Sequence, residues 1–149
     1  MDKKVLVTGC SGFIGFHLSN SLLETDIQVV GIDSLNSAYD VKLKQKRLEK
    51  LDKNNNFTFF NSNLSQKDSL NEIQKYDIST IYHMAARAGV RQSFLNPQSY
   101  IEDNTYATAN VANFCKEKDI PEIILASTSS IYGDSGENLM VEELSLIHI

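Results

Sequence analysis

Along this chain of 149 residues, short apolar runs alternate with longer stretches in which apolar and polar positions mix at helical spacing. Val5, Leu6 and Val7 form a continuous apolar run that stops at Thr8-Gly9, the pattern of a strand buried on both faces of a parallel sheet. From Gly12 the period changes. Phe13, Phe16, Leu18, Leu22 and Leu23 predict a helix that runs to residues 24–26. Residues 27–32 form a second strand ending on Asp33, followed by a polar loop over 34–40. Residues 41–51 read as a basic amphipathic helix. Leu43, Leu48 and Leu51 lie on one side, with Lys42, Lys44, Lys46, Arg47 and Lys50 around the other, so the expectation is a solvated helix on the flank of the sheet.

The run Asn54-Asn55-Asn56 predicts a turn, and Phe57 to Phe60 have the β-branched and aromatic make-up of a third strand. Ser65 with Asp68 fits a capping box and predicts a helix continuing through Leu70 and Ile73. Residues 78–82 are strand four, opening into the small-residue turn Met84-Ala85-Ala86. Pro97 sits where a first helical turn tolerates it, and Tyr100, Ile101, Ala107, Val111 and Phe114 extend one long helix to Lys118. Residues 123–126 make strand five. Strands alternating with helices predict right-handed crossovers and an α/β fold, a doubly wound parallel sheet covered on both faces and here cut off after about five strands.

Composition narrows the function classes. Apolar residues are 42% and charged ones 22%, as in ordinary globular chains, and no run reaches the roughly 18 apolar residues of a membrane span. A net charge of −5 argues against a nucleic-acid surface, which needs a basic patch to neutralise phosphates. The start of the chain has too short an apolar run for a signal peptide, and Cys10 and Cys115 suggest no disulfide framework, so the expected compartment is the cytoplasm. His17, His83 and His148 lack convergent partners at metal-ligand spacing, and no metal site is expected. Cys10 reads as a small turn residue rather than a reactive thiol.

The residues with chemical promise begin at the first turn. Thr8-Gly9-Cys10-Ser11-Gly12-Phe13-Ile14-Gly15 places three glycines three apart between a predicted strand and a predicted helix. Gly9 permits the tight turn, Gly12 admits a pyrophosphate to the bare backbone, and Gly15 lets helix and strand pack. The helix start then faces the phosphates with its amides and its dipole. Asp33, eighteen residues after Gly15, is placed to accept from the ribose hydroxyls of adenosine and to repel a 2′-phosphate, which favours NAD over NADP. The competing reading is that Asp33 only ends a strand or caps a turn. No Gly-Lys-Ser/Thr exists to form an ATP-binding P-loop.

Four segments in order, TGCSGFIG, GIDSLNSAYD, HMAARAGVRQSFLNPQSYIEDN and ASTSSIYGD, resemble the extended short-chain dehydrogenase/reductase family, within it the NAD-dependent nucleotide-sugar epimerases and dehydratases. The second and third look most like the UDP-glucuronate 4-epimerase group. The resemblance implies a Rossmann-type sheet over residues 1–143 and a set of cofactor contacts. Phe13 and Ile14 would lie under the pyrophosphate, Asp33 at the ribose, and the stretch from Ser34 through Asn36 to Ala38 along its border. Asn63-Leu64 would lie near adenine, where Asn replaces the family's usual Asp. Met84, Ala85, Ala86 and Arg87 would pass beneath the nicotinamide side, and Asp103-Asn104 would reach or brace the cofactor. For Arg87 and Arg91 two readings stay open, a pyrophosphate or sugar-carboxylate contact and a plain exposed cation. Thr128 matches the catalytic Ser or Thr that holds the oxidised sugar hydroxyl, with Ser127 and Ser129 as substrate-binding neighbours.

The family's general base, a tyrosine with a lysine four residues on, is absent: none of the six tyrosines has one. A phenolate assisted by lysine would remove the hydroxyl proton as hydride leaves C4, so the chain as given is expected to be an inactive amino-terminal part of its parent. Residues 144–149, LSLIHI, match the translation of a transposase end sequence used in sequencing libraries and are expected to be non-native. The implied function is the NAD-binding part of a nucleotide-sugar 4-epimerase acting on a UDP-sugar, UDP-glucuronate or UDP-galacturonate, in a homodimeric parent. The alternatives are a 4,6-dehydratase, against which Ser129-Ser130 argue, and a non-catalytic NAD-sensing module.

Overall fold

A computed structural model of the chain describes residues 4–128 and 132. Five strands, β1 (Lys4–Thr8), β2 (Val29–Asp33), β3 (Phe57–Asn61), β4 (Ile78–His83) and β5 (Glu122–Leu125), pair in the order β3-β2-β1-β4-β5. Every pairing is parallel, as the alternation of strands and helices predicts. Thr8 lies opposite Ile32 on one side and His83 on the other, so the carboxyl ends of the three central strands finish together. The central strands read as uninterrupted apolar runs because each face carries its own core. On one face Leu6, Val30, Ile32 and Ile81 meet Val111 and Phe114; on the other Val5, Val7 and Val29 meet Phe16, Leu23 and Leu51.

Helices α1 (Phe13–Glu24) and α2 (Val41–Leu51) cover the second of these faces. The inward side of α2 differs from the expected one. Lys44 and Leu51 are buried and Arg47 and Leu48 half-buried, a stripe at i, i+3, i+4 and i+7, whereas Leu43 is 43% exposed. Lys44 and Arg47 therefore lie inward, contrary to the solvated-flank expectation.

Residues 62–76 contain one 3-10 turn (Asn71–Ile73) and no α-helix. The capping box does not form: Asn63 Oδ1 instead accepts from the amide and hydroxyl of Ser65 at 3.0 Å each, and Asn110 Nδ2 donates to the Leu64 carbonyl at 2.8 Å. These bonds hold the segment in turns that seat Leu64, Leu70 and Ile73 in the core. After β4 a helix that the apolar pattern does not announce, α3 (Val90–Leu95), buries none of its residues. The long helix begins at Pro97, as expected, and Asn96 caps it. It is divided into α4 (Pro97–Tyr100), a π-helical segment (Ile101–Tyr106) and α5 (Ala107–Glu117). Strand β5 pairs with β4, but all four of its residues are exposed, so the sheet's expected cover does not extend to this edge among the described residues.

Candidate functional site

Strands β2 and β4 leave β1 on opposite sides, and in an open parallel sheet the crevice beyond the strands' carboxyl ends at such a reversal is where ligands bind. The chain builds that crevice by leaving out side chains. Gly9 has φ of +67°, and a Cβ there would lie 2.8 Å from Ala85 Cα; a Cβ on Gly15 would lie 2.1 Å from the Gly9 carbonyl oxygen. The glycine turn, the exit of β4 and the first turn of α1 therefore stack backbone on backbone. Gly12 stands at the N-cap of α1 with no capping side chain and no acid in the first turn, so the positive end of the helix has no neutralising group of its own.

At the β2 end the carboxylate of Asp33 is buried. Its Oδ2 accepts from the Ser11 amide at 3.1 Å and its Oδ1 from the Leu35 amide at 2.8 Å, which leaves acceptor capacity on both oxygens. Lys44 Nζ donates to the carbonyl and side-chain oxygens of Asn36, at 3.0 and 2.8 Å, and lies 4.0 Å from Asp33 Oδ1. Burial pushes the Lys44 ammonium's pKa down while Asp33 holds it up. Arg47 Nη1 donates to the Ser11 carbonyl at 3.2 Å and to the Tyr39 hydroxyl at 3.0 Å, and burial raises the pKa of that phenol. Beneath the turn Cys10 is fully buried, and burial pushes its thiol's pKa far up, so it stays protonated.

At the β4 end a neutral chain of hydroxyls and an imidazole lies beside the Arg87–Asp103 ion pair, and the hydrogens of that chain can be counted. Thr108 donates its one hydroxyl proton to the Asn104 carbonyl at 2.6 Å, so toward His83 Nε2, 3.0 Å away, it accepts. Nε2 therefore carries the imidazole proton, and Nδ1 accepts from the Thr8 hydroxyl at 2.7 Å. Thr8 Oγ1 in turn accepts from the Ala85 amide at 3.1 Å. Burial lowers the pKa of His83, which favours this neutral form. Asn104 clamps the backbone of Arg87, accepting from its amide at 2.7 Å and donating to its carbonyl at 3.0 Å. Arg87 Nε meets Asp103 Oδ2 at 2.7 Å.

One cleft is lined by Gly9, Gly12, Asp33, Ser34, Asn36, Asn63, Leu64, Met84, Ala85, Ala86, Arg87 and Asp103. Gly15 sits behind it, and Asn104 acts on it through Arg87. The side chains of Phe13 and Ile14 are exposed on the first turn of α1. Arg91 is exposed on α3 and, like the exposed Ser127 and Thr128 that follow β5, is not among the cleft's lining residues; Ser129 lies outside the described residues. Arg87 is half-buried and ion-paired rather than a plain exposed cation. The pattern reading missed Lys44 and Tyr39 in the lining, and His83 behind it. The available signal for Lys44 was its spacing of seven from Leu51 on one helical face.

A family model described as GDP-mannose 4,6 dehydratase matches residues 6–147. An uncharacterised protein of Methanocaldococcus jannaschii is 45% identical over 134 residues, 88% of this chain and 41% of that protein. The UDP-glucuronate 4-epimerase of Thermodesulfobacterium geofontis is 44% identical over 128 residues, 85% of this chain and 40% of its own length. The chain thus spans about 40% of these curated relatives. Among solved structures, the UDP-glucuronic acid 4-epimerase from Bacillus cereus in complex with UDP-glucuronic acid and NAD superposes with a TM-score of 0.83 at 35% identity. The match covers 95% of this chain and 45% of that one.

Proposed function

The chain belongs to the GDP-mannose 4,6-dehydratase family of extended short-chain dehydrogenases/reductases, and from that membership we propose that it is the NAD-binding part of a nucleotide-sugar 4-epimerase of the UDP-glucuronate 4-epimerase kind. The observation that carries the reading is Asp33. It is a buried carboxylate with acceptor capacity left on both oxygens, at the rim of a cleft whose floor is a glycine turn and an uncapped helix start. Those residues fit a dinucleotide. The carboxylate accepts from the ribose hydroxyls, and the start of α1 holds the diphosphate against backbone that a Cβ would fill. When bound, NAD supplies a hydride acceptor.

In the parent enzyme Thr128 hydrogen-bonds the sugar hydroxyl that is oxidised, with Ser127 and Ser129 beside it and Arg91 toward the substrate. The substrate is UDP-glucuronate or UDP-galacturonate, and the parent is a homodimer. The names of the relatives favour an epimerase over a 4,6-dehydratase, although a dehydratase gives the family model its description. Within these 149 residues no tyrosine has a lysine four positions on to take up the hydroxyl proton, so the chain alone binds cofactor without turnover.

Calorimetric titration with NAD⁺ tests the reading. The expected result is saturable binding at one site, weakened at least ten-fold by Asp33→Ala, with no epimerisation of UDP-glucuronate. Absence of heat and of thermal protection by NAD⁺ rejects it.

A further inference from the structure

We propose that Lys44 determines how strictly the site excludes a 2′-phosphate: it is a cation stored beside Asp33, so that rejection rests on one carboxylate and its removal turns the site toward NADP. The inference rests on the dinucleotide reading above and concerns only the adenosine end. An ammonium with 6% of its side chain exposed is costly to bury without a compensating charge. Asn36 provides two oxygens but no charge, and the nearest carboxylate, Asp33, stands at 4.0 Å, the outer limit of an ion pair. Two of the three ammonium hydrogens are committed to Asn36, which leaves the third for Asp33 or for an oxygen of a ligand there.

A second cation lies on the same face of α2. Arg47 is bonded to the carbonyl of Ser11, whose amide binds Asp33, and to the hydroxyl of Tyr39, whose ring has Lys44 Nζ 4.7 Å from its centre. Lys44 thus faces the carboxylate, and Arg47 holds the residue whose amide binds it. A 2′-phosphate beside Asp33 would meet repulsion from that carboxylate and attraction from Lys44, whose Nζ lies 4.0 Å from it, and these oppose each other. With Asp33 intact the direct hydroxyl contacts tip the balance to NAD. Without it, a charged donor remains facing a phosphate it can bind.

The test titrates the full chain, Asp33→Ser, Lys44→Met and the double variant with NAD⁺ and NADP⁺ by calorimetry, each variant checked by its thermal unfolding transition. The unsubstituted chain is expected to bind NAD⁺ more tightly. Asp33→Ser is expected to shift the affinity ratio at least ten-fold toward NADP⁺, and the double variant to lose at least ten-fold of the NADP⁺ affinity gained. Lys44→Met with Asp33 intact decides the matter should Asp33→Ser fail to fold: NADP⁺ affinity falls at least five-fold more than NAD⁺ affinity. A double variant that keeps the gain, or a Lys44→Met that weakens both dinucleotides alike, overturns the proposal while NAD⁺ binding by the unsubstituted chain leaves the function reading standing. Failure of the unsubstituted chain to bind either dinucleotide overturns both.

Discussion

The two ends of the cleft are built from different chemistry. At the β2 end the organising groups are charged: a buried carboxylate, a buried ammonium and a guanidinium, tied mainly to backbone amides and carbonyls. At the β4 end a neutral chain of amide, hydroxyl, imidazole and hydroxyl joins β1, β4 and α5 across 75 and 25 residues of sequence. Charges at the first end have capacity left over for a ligand. In the relay at the second, each donor and acceptor atom counted is already engaged within the protein. Substitutions at the first end should therefore move affinity more than stability, and substitutions at the second the reverse.

Gly15→Ala should erase the contrast, because the added Cβ meets the carbonyl oxygen of Gly9, which accepts from the Gly12 amide in the turn on the cleft's floor. A loss of about 3 kcal/mol is expected, read as a lowered urea midpoint and loss of NAD⁺ binding together. His83→Leu should strike the β4 end alone, leaving the buried hydroxyl of Thr8 and the half-buried one of Thr108 without the imidazole, at about 2 kcal/mol. Chemical denaturation measures it, and a variant as stable as the parent chain would remove the relay from the account.

The same histidine gives the β4 end a pH dependence. Unfolded, it takes up a proton as pH falls through about 6.5; folded, its lowered pKa delays that uptake. The unfolded state therefore binds more protons in the interval below 6.5. The contribution is complete above that pH and is lost on acidification, with a slope of at most about 1.4 kcal/mol per pH unit. Denaturation series from pH 7.5 to pH 5, about as wide as the histidine range, should show this slope in the parent chain and its reduction in His83→Leu. Asn104→Ala, which frees the Arg87 backbone, should cost about 1 kcal/mol by the same measurement. Leu43→Gln, on the outward face of α2, should change stability by less than about 0.5 kcal/mol; a larger loss would contradict the inward face assigned to Lys44 and Leu51.

The charged end was legible in part because its signals are local. A glycine turn between a strand and a helix, and an acid at the end of the next strand, lie within the stretch Lys4–Asp33, and their meaning does not depend on distant contacts. Lys44 escaped because a helical stripe can be drawn through Leu43 or through Lys44, and only the position of the cleft decides between them. The capping signal at Ser65 and Asp68 was genuine chemistry overridden by Asn63 and by Asn110 of α5, a partner 44 or more residues away. His83 could be placed at the end of a strand, but its two hydroxyl partners come from other elements and leave no periodic trace in the chain. Nor does any local pattern announce α3, whose apolar residues face outward.

The π-helical segment over Ile101–Tyr106 carries a consequence for how this region tolerates changes in length. Its i→i+5 bonding takes up one residue more per closed ring than the α-helix that follows it. Deleting a single codon here would let the segment relax to ordinary α geometry. Because the π segment turns less per residue than an α-helix, its six residues sweep nearly the same angle as five α-helical ones, so the deletion would leave Pro97–Tyr100 close to its present azimuth relative to Val111 and Phe114. Deleting one residue from this stretch should then be milder than inserting one, which acts as a phase error of about 100° between the two halves of a single rod.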